Sequence, residues 1–461
     1  MSRPDVYAAR RAALLAQVPN PVLLVANGRR ARNLPINALP FRQDSTFLYF
    51  TGCTTPGAAL LLTHAGSTLF LPEPAPDDAL WHGEVPSLAD EAVRLGVDVA
   101  PLSELERATT PLVPRLCTLA VPDDAMTALA ARLCKTDLLY GVRNGADALV
   151  DAVIALRRRQ GPDELHELRR AAHLTEQAHR AAMAATRPGR HERELAALFN
   201  AVLASQGATN AYDPIVTVRG EVLHQFHQLH RLQAGELLLL DGGAEVDTGY
   251  AADVTRTWPV SGRFSPRQRA AYEAVLAAQE AAIARVCPGV RYREVHLTAA
   301  RVIAQFLVDE RLIACSADAA VERGLHALFF PHGVGHLIGL DVHDLENFGD
   351  RAAYAPGRTR SDQFGTAYLR LDLDLEPGMV VTIEPGFYVV PSIFRDPALM
   401  ALHEDALNRD VLATWAGFGG IRIEDDVLCT EGEPEVLTGG IPKTVADLEA
   451  LVGTAEGLRF G

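Results

Sequence analysis

The stretch LLLLDGGAEVDTGYAADVTRTWP, residues 237–259, constrains this chain more than any other. Four leucines deliver Asp241, a glycine-rich turn follows, and the chain returns through Asp253 into a Thr/Val/Trp-rich segment. Short apolar runs bounded by turn residues read as buried strands, and two of them joined by a Gly-containing turn read as a hairpin. A hairpin with an Asp on each strand aims two carboxylates at one point. Such a pair is unstable unless positive charge lies between them. A metal ion is the simplest occupant, and the pattern directs a search for further ligands.

Three later segments supply them. FFPHGVGHLIGLDVHD carries His332, His336 and His343, and its Gly333 and Gly335 argue against a helix. MVVTIEPGFYVV ends an apolar strand at Glu384, where Pro385 and Gly386 stop it. In GGIRIEDDVL, strand alternation puts Ile421 and Ile423 on one face and Arg422 and Glu424 on the other. Asp425 then falls on the apolar side, and nothing in the pattern accounts for it. Taken singly, each of these residues has an ordinary structural reading, because Asp is a good turn former and a His is usually a satisfied polar residue. His227 and His230 are read that way. In combination, Asp241, Asp253, Glu384 and Glu424 bring four negative charges, which two divalent cations balance, and His336 completes a five-ligand set. Hard oxygen ligands with one imidazole favour Mn²⁺, with Co²⁺, Fe²⁺ or Zn²⁺ as alternatives. Two such ions can share a water, lower its pKa and polarise a carbonyl, which is chemistry for amide hydrolysis.

Bulk properties narrow the class. A chain of 461 residues allows two or three domains, and 48% hydrophobic content allows a large core. A net charge of −15 disfavours nucleic acid as a partner, since phosphate binding needs basic patches. Six cysteines without a CxxC pair argue against a disulfide framework or a thiolate zinc site and suit the cytoplasm. The N-terminus shows no apolar signal region, and no run of about 18 apolar residues predicts a membrane span.

The chain reads as α/β in two parts, with domains at 1–158 and 159–461. In the first, residues 5–16 have helical spacing, and PVLLVA, TFLYFTG, AALLLTH and STLFLPE read as strands of a mixed sheet. In the second, helices at about 162–186 and 191–206 precede the hairpin 236–260. Helices at about 266–286 and 291–311 then precede strands near 379–390 and 419–429. This repeated order predicts two halves related by a pseudo-twofold axis. Residues 345–375 and 391–416 read as inserts over the site.

HGVGHLIGLDVHD, TIEPGFY and GIRIEDD resemble the pita-bread metallopeptidases, specifically the aminopeptidase P and prolidase branch. LPFRQDSTFLYFTG and ALWHG resemble the N-terminal domain of that branch. The resemblance covers about 165–438 in the catalytic part. It implies a dinuclear exopeptidase that releases the N-terminal residue from Xaa-Pro peptides, or a prolidase restricted to dipeptides. Metal ligands would be Asp241, Asp253, His336, Glu384 and Glu424, with Asp253 and Glu424 bridging. Glu384 would also handle the proton of the nucleophilic water, and His332 and His343 would contact the scissile carbonyl and the proline side. Arg422 would sit beside the bridging Glu, His224 would line the substrate pocket, and Arg370 would meet the carboxylate of a dipeptide unless it is a solvated loop residue. Trp81 matches a residue that reaches a neighbour's active site in tetrameric relatives, so a homo-oligomer, dimer or tetramer, is expected. One departure stands out: Asp241 and Asp253 are twelve positions apart, one more than the family's spacing. An extra residue in the turn EVDTG leaves strand facing intact. One inside a strand turns a carboxylate away and makes Asp247 the alternative ligand. A metal-free binding module or a creatine-type amidinohydrolase on the same fold are readings of other classes, and the five retained ligands count against both.

Overall fold

The computed structural model describes residues 4–34, 36–75 and 77–455. The chain divides into two compact units, Met1–Arg158 with Leu345–Ala352, and Arg159–Asp344 with Ala353–Gly461. Among the described residues, no helix is long and apolar enough to cross a membrane.

The first unit holds a five-stranded mixed sheet in the order β4-β3-β2-β1-β5. Its strands are β1 (Val22–Val25), β2 (Ala59–Thr63), β3 (Gly66–Leu71), β4 (Asp98–Pro101) and β5 (Cys117–Thr118). β1, β2 and β3 pair antiparallel, while β4 and β5 add in parallel at the two edges. Leu23, Val25, Leu61 and Phe70 pack from the sheet onto Leu105, Leu116, Ala130 and Leu133. One expected strand is corrected: TFLYFTG lies in the helix Ser45–Thr51. The Asp44 side chain caps Phe47 N–H and Gly52 ends the helix in the left-handed region, signals that outweigh its aromatic and β-branched content. Every residue of that helix is buried, so no polar face betrays its period. The segment Leu345–Ala352, expected over the site, belongs to this unit. Arg351 pairs there with Asp151 (2.6 Å) and with Asp147.

The second unit repeats one order twice. Helices Pro162–Ala185 and Glu192–Ser205 lead into β6 (Thr209–Asn210), β7 (Ile215–Thr217), β8 (Leu237–Asp241), β9 (Ala244–Glu245) and β10 (Thr255–Pro259). Helices Pro266–Ile283 and Tyr292–Asp309 precede β11 (Val380–Ile383), β12 (Gly386–Tyr388), β13 (Gly420–Arg422), β14 (Asp425–Leu428) and β15 (Glu435–Val436). Pro162 and Pro266 each open a first helix, where a missing N–H costs nothing. β10, β8 and β7 form one antiparallel sheet, and β11, β14 and β15 another. β12 pairs with β13, and β6 with β9.

Asp425, unexplained in the sequence, anchors this core. Its side chain and that of Arg256 have no exposed surface and pair at 2.7 Å. Gln279 Nε2 and Lys443 Nζ donate to its other oxygen, each at 2.8 Å. Arg256 spends its remaining N–H groups on the carbonyls of Thr255, Glu424, Ile441 and Pro442. These partners hold the Asp425 carboxyl down at about 2, against the upward push of burial.

Candidate active site

The hairpin supplies the first two carboxylates. Asp241 ends β8 opposite Thr255, and the ladder continues past the strand through Gly242 N–H to Val254 O at 3.0 Å. Gly243 lies so close to the returning chain that a Cβ there would sit 1.7 Å from the Ala252 carbonyl oxygen. The turn closes from Val246 N–H to Tyr250 O at 3.0 Å, and its Gly249 has φ +89°. Asp247 lies on that turn and pairs with Arg170 at 2.9 Å. The added residue is therefore accommodated in the turn, and Asp241 and Asp253 face the same point.

Two strand breaks supply the glutamates. β11 pairs with β14 up to Ile383 and Asp425, and β12 pairs with β13 from Gly386 and Arg422. The residues between, Glu384–Pro385 and Ile423–Glu424, face each other outside both ladders. Pro385 cannot donate a ladder hydrogen bond, which breaks the first strand. The freed amides are satisfied elsewhere: Glu384 N–H bonds to Val334 O at 2.8 Å and Glu424 N–H to Thr255 O at 3.0 Å. These two bonds tie the glutamates to the histidine segment and to the hairpin.

The histidine segment runs extended along β11. His336 N–H donates to Thr382 Oγ1 (3.1 Å), and Thr382 N–H returns to His336 O (2.9 Å). Gly335, with φ +151°, is required because a Cβ would lie 2.1 Å from Thr382 O. As expected, no helix forms here.

These elements bring all five expected ligands together, with His343 beside them. Three groups of ligand atoms each lie within 4.8 Å of one another: Asp253/His336/His343, His336/Glu384/Glu424 and Asp241/Asp253/Glu424. His336 Nδ1 lies 3.0 Å from Leu337 O, a carbonyl that can only accept, so Nδ1 carries the proton and Nε2 the lone pair. Nε2 sits 3.5 Å from Asp253 Oδ2 and 3.9 Å from Glu384 Oε1. A lone pair facing two carboxylate oxygens fits a cation between them. The Tyr212 hydroxyl makes the same point, because its one proton meets both Asp241 Oδ1 (2.6 Å) and Asp253 Oδ1. Burial raises Asp241, Asp253 and Glu424 above the usual carboxylate range and lifts Glu384 to about 8, with repulsion from neighbouring carboxylates adding to the effect at Asp241, Glu384 and Glu424. The residues present fit two divalent cations.

Arg422 is the cation built into the floor. It donates to Asp241 Oδ2, to Thr255 Oγ1 (3.0 Å) and to Tyr388 Oη (3.1 Å). The Tyr388 hydroxyl, having accepted from Arg422, donates to His332 Nε2 at 2.9 Å. His332 Nδ1–H in turn bonds to Gly333 O at 2.8 Å. His332 is thereby held as the neutral Nδ1–H tautomer, and burial pushes its pKa down to about 3. At the exposed rim, Arg370 donates to His343 Nε2 at 2.9 Å. Desolvation, then His336 and Arg370, lowers His343 to about 3 as well. His224 is exposed and bears electrostatically on His332. Trp81 belongs to the first unit and is 68% exposed, on the helix Asp78–His82.

Sequence reasoning missed three residues of the site. Tyr212 joins the paired aspartates, Thr255 Oγ1 donates to Glu424 Oε2 at 2.7 Å, and Tyr388 links Arg422 to His332. Thr255 was legible as the residue opposite Asp241 in the hairpin. Tyr212, far upstream before Asp213–Pro214, carried only a turn signal.

The model described as Metallopeptidase family M24 matches residues 166–431, and that of the aminopeptidase P N-terminal domain matches residues 7–116. The chain belongs to metallopeptidase family M24. This M24 chain is 32% identical to human Xaa-Pro dipeptidase over 421 residues, 89% of this chain and 84% of that protein. It is 33% identical to a probable Xaa-Pro aminopeptidase of Botryotinia fuckeliana over 426 residues, 90% and 88% of the two chains. Aminopeptidase PepP of Pseudomonas aeruginosa superposes with a TM-score of 0.81 at 31% identity, covering 97% of both chains. Aminopeptidase P of E. coli, solved with the inhibitor Pro-Leu, superposes at 0.80 with 28% identity over 98% of each. The fold is that of aminopeptidase P: a mixed α/β N-terminal domain and a pita-bread M24 domain. The chain is a metallopeptidase, a hydrolase with clustered acidic and histidine ligands.

Proposed function

We propose that this metallopeptidase hydrolyses the Xaa-Pro bond and releases the N-terminal residue from peptides with proline in second position. The observation that carries the reading is the convergence of Asp241, Asp253, His336, Glu384 and Glu424 on one point, within a fold shared with aminopeptidase P. These five would hold two divalent cations, Mn²⁺ first by ligand hardness, with Co²⁺, Fe²⁺ or Zn²⁺ able to substitute. When bound, such a pair lowers the pKa of a water and polarises the scissile carbonyl.

The chain's own groups do the rest. Glu384, the least buried of the carboxylates at the break, takes the proton of the attacking water and passes it to the prolyl nitrogen. That nitrogen is a tertiary amide with no proton of its own, so protonation of the leaving group is obligatory. Arg422 holds Asp241 in place and orients Tyr388, which fixes the His332 tautomer beside Glu384. His332 and His343 stay neutral; His343 stabilises charge developing at the carbonyl, and His332, its Nδ1–H given to Gly333 O and its Nε2 to Tyr388, lines the proline side. His224 lines the pocket, and proline-containing peptides are the partners.

A second reading, a prolidase restricted to dipeptides, is favoured by Arg370. Its guanidinium stands on His343 at the rim, where it would take the free carboxylate of an Xaa-Pro dipeptide. Rates on Ala-Pro and Ala-Pro-Ala-Ala decide between them. Turnover of the tetrapeptide supports the aminopeptidase, and its absence beside good dipeptide hydrolysis leaves the dipeptidase. Six free cysteines accord with a cytoplasmic enzyme. Exposed Leu80 and Trp81 on the first unit accord with a homo-oligomer, a dimer or tetramer.

A further inference from the structure

Five large hydrophobic side chains stand exposed among the described residues of the second unit: Val222, Phe226, Leu229, Tyr368 and Leu402. Three of them lie on one loop, Arg219–Leu229, which also carries His224. Contiguous exposed apolar surface marks a binding surface more often than chance.

This loop is held at both ends. Glu192 is wholly buried, and its carboxylate accepts the backbone N–H groups of Val218 and His230, each at 2.8 Å, the residues flanking the loop on either side. The His230 ring lies against the same carboxylate at 3.2 Å. Gln228 Nε2 donates to Pro214 O at 3.1 Å, and buried Glu221 pairs with Arg219. The exposed side chains are therefore presented from a fixed base.

The loop is also continuous with the site. A Cβ on Gly220 would lie 2.5 Å from Gly420 O, so the two backbones pack without side chains between them. Gly420 pairs with Tyr388, whose hydroxyl bonds to His332 and Arg422. This base carries His224, and Phe226 lies nearly parallel to His224 with ring centroids 6.1 Å apart. The tip VLHQFHQL, residues 222–229, has no Lys or Arg and no acid, whereas the rim at His343 carries Arg370. A carboxylate belongs at Arg370, and an uncharged apolar group belongs on the aromatic face.

We propose that Phe226, stacked on His224, is a specificity-determining residue that receives an apolar side chain of the residue preceding proline. This inference rests on the Xaa-Pro reading above. The test compares kcat/KM on Leu-Pro-Ala, Phe-Pro-Ala and Ala-Pro-Ala for the full-length metal-loaded enzyme and for Phe226→Ala and Phe226→Leu. Phe226→Ala is expected to cut the preference for Leu-Pro-Ala and Phe-Pro-Ala over Ala-Pro-Ala by on the order of tenfold, mainly through KM, and Phe226→Leu to restore most of the Leu-Pro-Ala preference. An equal loss on all three substrates overturns the proposal, because the ring would then serve the common proline or the loop's fold. Unaltered preferences together with a smaller particle in light scattering also overturn it, because a second copy of the chain would then cover Phe226. A wild-type enzyme inert on every Xaa-Pro peptide would instead refute the functional reading beneath it.

Discussion

One guanidinium, Arg422, faces four clustered carboxylates, and that imbalance governs the residue scale. Burial, then the charges of Asp253 and Asp241, push the Glu384 carboxyl up to about 8 when no cation is bound. An acid whose pKa is raised on folding stabilises the fold below its unfolded value and loses that contribution as pH rises through the folded one. Metal-free Glu384→Gln should therefore melt higher than the metal-free parent at pH 8 and show little advantage at pH 4, as thermal scans in chelator would record. The same variant should lose turnover, because the carboxylate that moves the proton is gone. Asp241, His336 and Glu384 were legible at this scale because each stands where an apolar run meets Gly or Pro, Asp253 as the acid on the returning arm of the hairpin, and Glu424 by strand alternation with Arg422. Asp425 was not, since its partners Arg256, Gln279 and Lys443 are distant in sequence and meet it only in the core. Tyr212 was hidden for the same reason: nothing local distinguishes a tyrosine that joins two aspartates from one in a turn.

At the scale of elements, the hairpin and the paired strand breaks do the positioning. The extra residue between Asp241 and Asp253 is absorbed at Val246–Gly249, leaving the register of Asp241 opposite Thr255 intact. Asp247 is paired with Arg170 at the surface, an interaction worth about 0–1 kcal/mol. Asp247→Ala should leave Mn²⁺ affinity within twofold of the parent by calorimetry. Tyr212→Phe should weaken it on the order of tenfold, as loss of a group that orients metal ligands commonly does. A tenfold loss in Asp247→Ala would mean that the turn holds a ligand after all. Helices with polar faces were readable from period and caps, and Pro162 and Pro266 opened two of them. The helix Ser45–Thr51 was not, because full burial erases periodicity and its residues favour strands.

The whole molecule stores a pH dependence away from the metal ligands. His296 and His326 are wholly buried in the second unit, and burial lowers them to about 3 and about 4. Folded, they stay neutral while the unfolded chain protonates below about 6.5, so stability falls as pH drops from there toward 4. Each contributes a slope of up to about 1.4 kcal/mol per pH unit in that window. His296→Leu and His326→Leu should each flatten the stability curve between pH 6 and 4 in urea titrations, and an unchanged slope would show that these rings are solvated. The division into two units followed a change of texture near residue 160. The return of Leu345–Ala352 to the first unit had no such mark, because Arg351 finds Asp147 and Asp151 across about two hundred residues of chain.

The proposed site cages two cations with five side chains in order to cleave a prolyl amide. Titrating chelator-stripped enzyme with Mn²⁺, while following Ala-Pro-Ala hydrolysis and ion binding on the same sample, tests it most directly. The stripped protein should show no turnover, and the rate should saturate at two ions per chain. Hydrolysis that persists without metal, or two bound ions with no cleavage of any Xaa-Pro peptide, would contradict it.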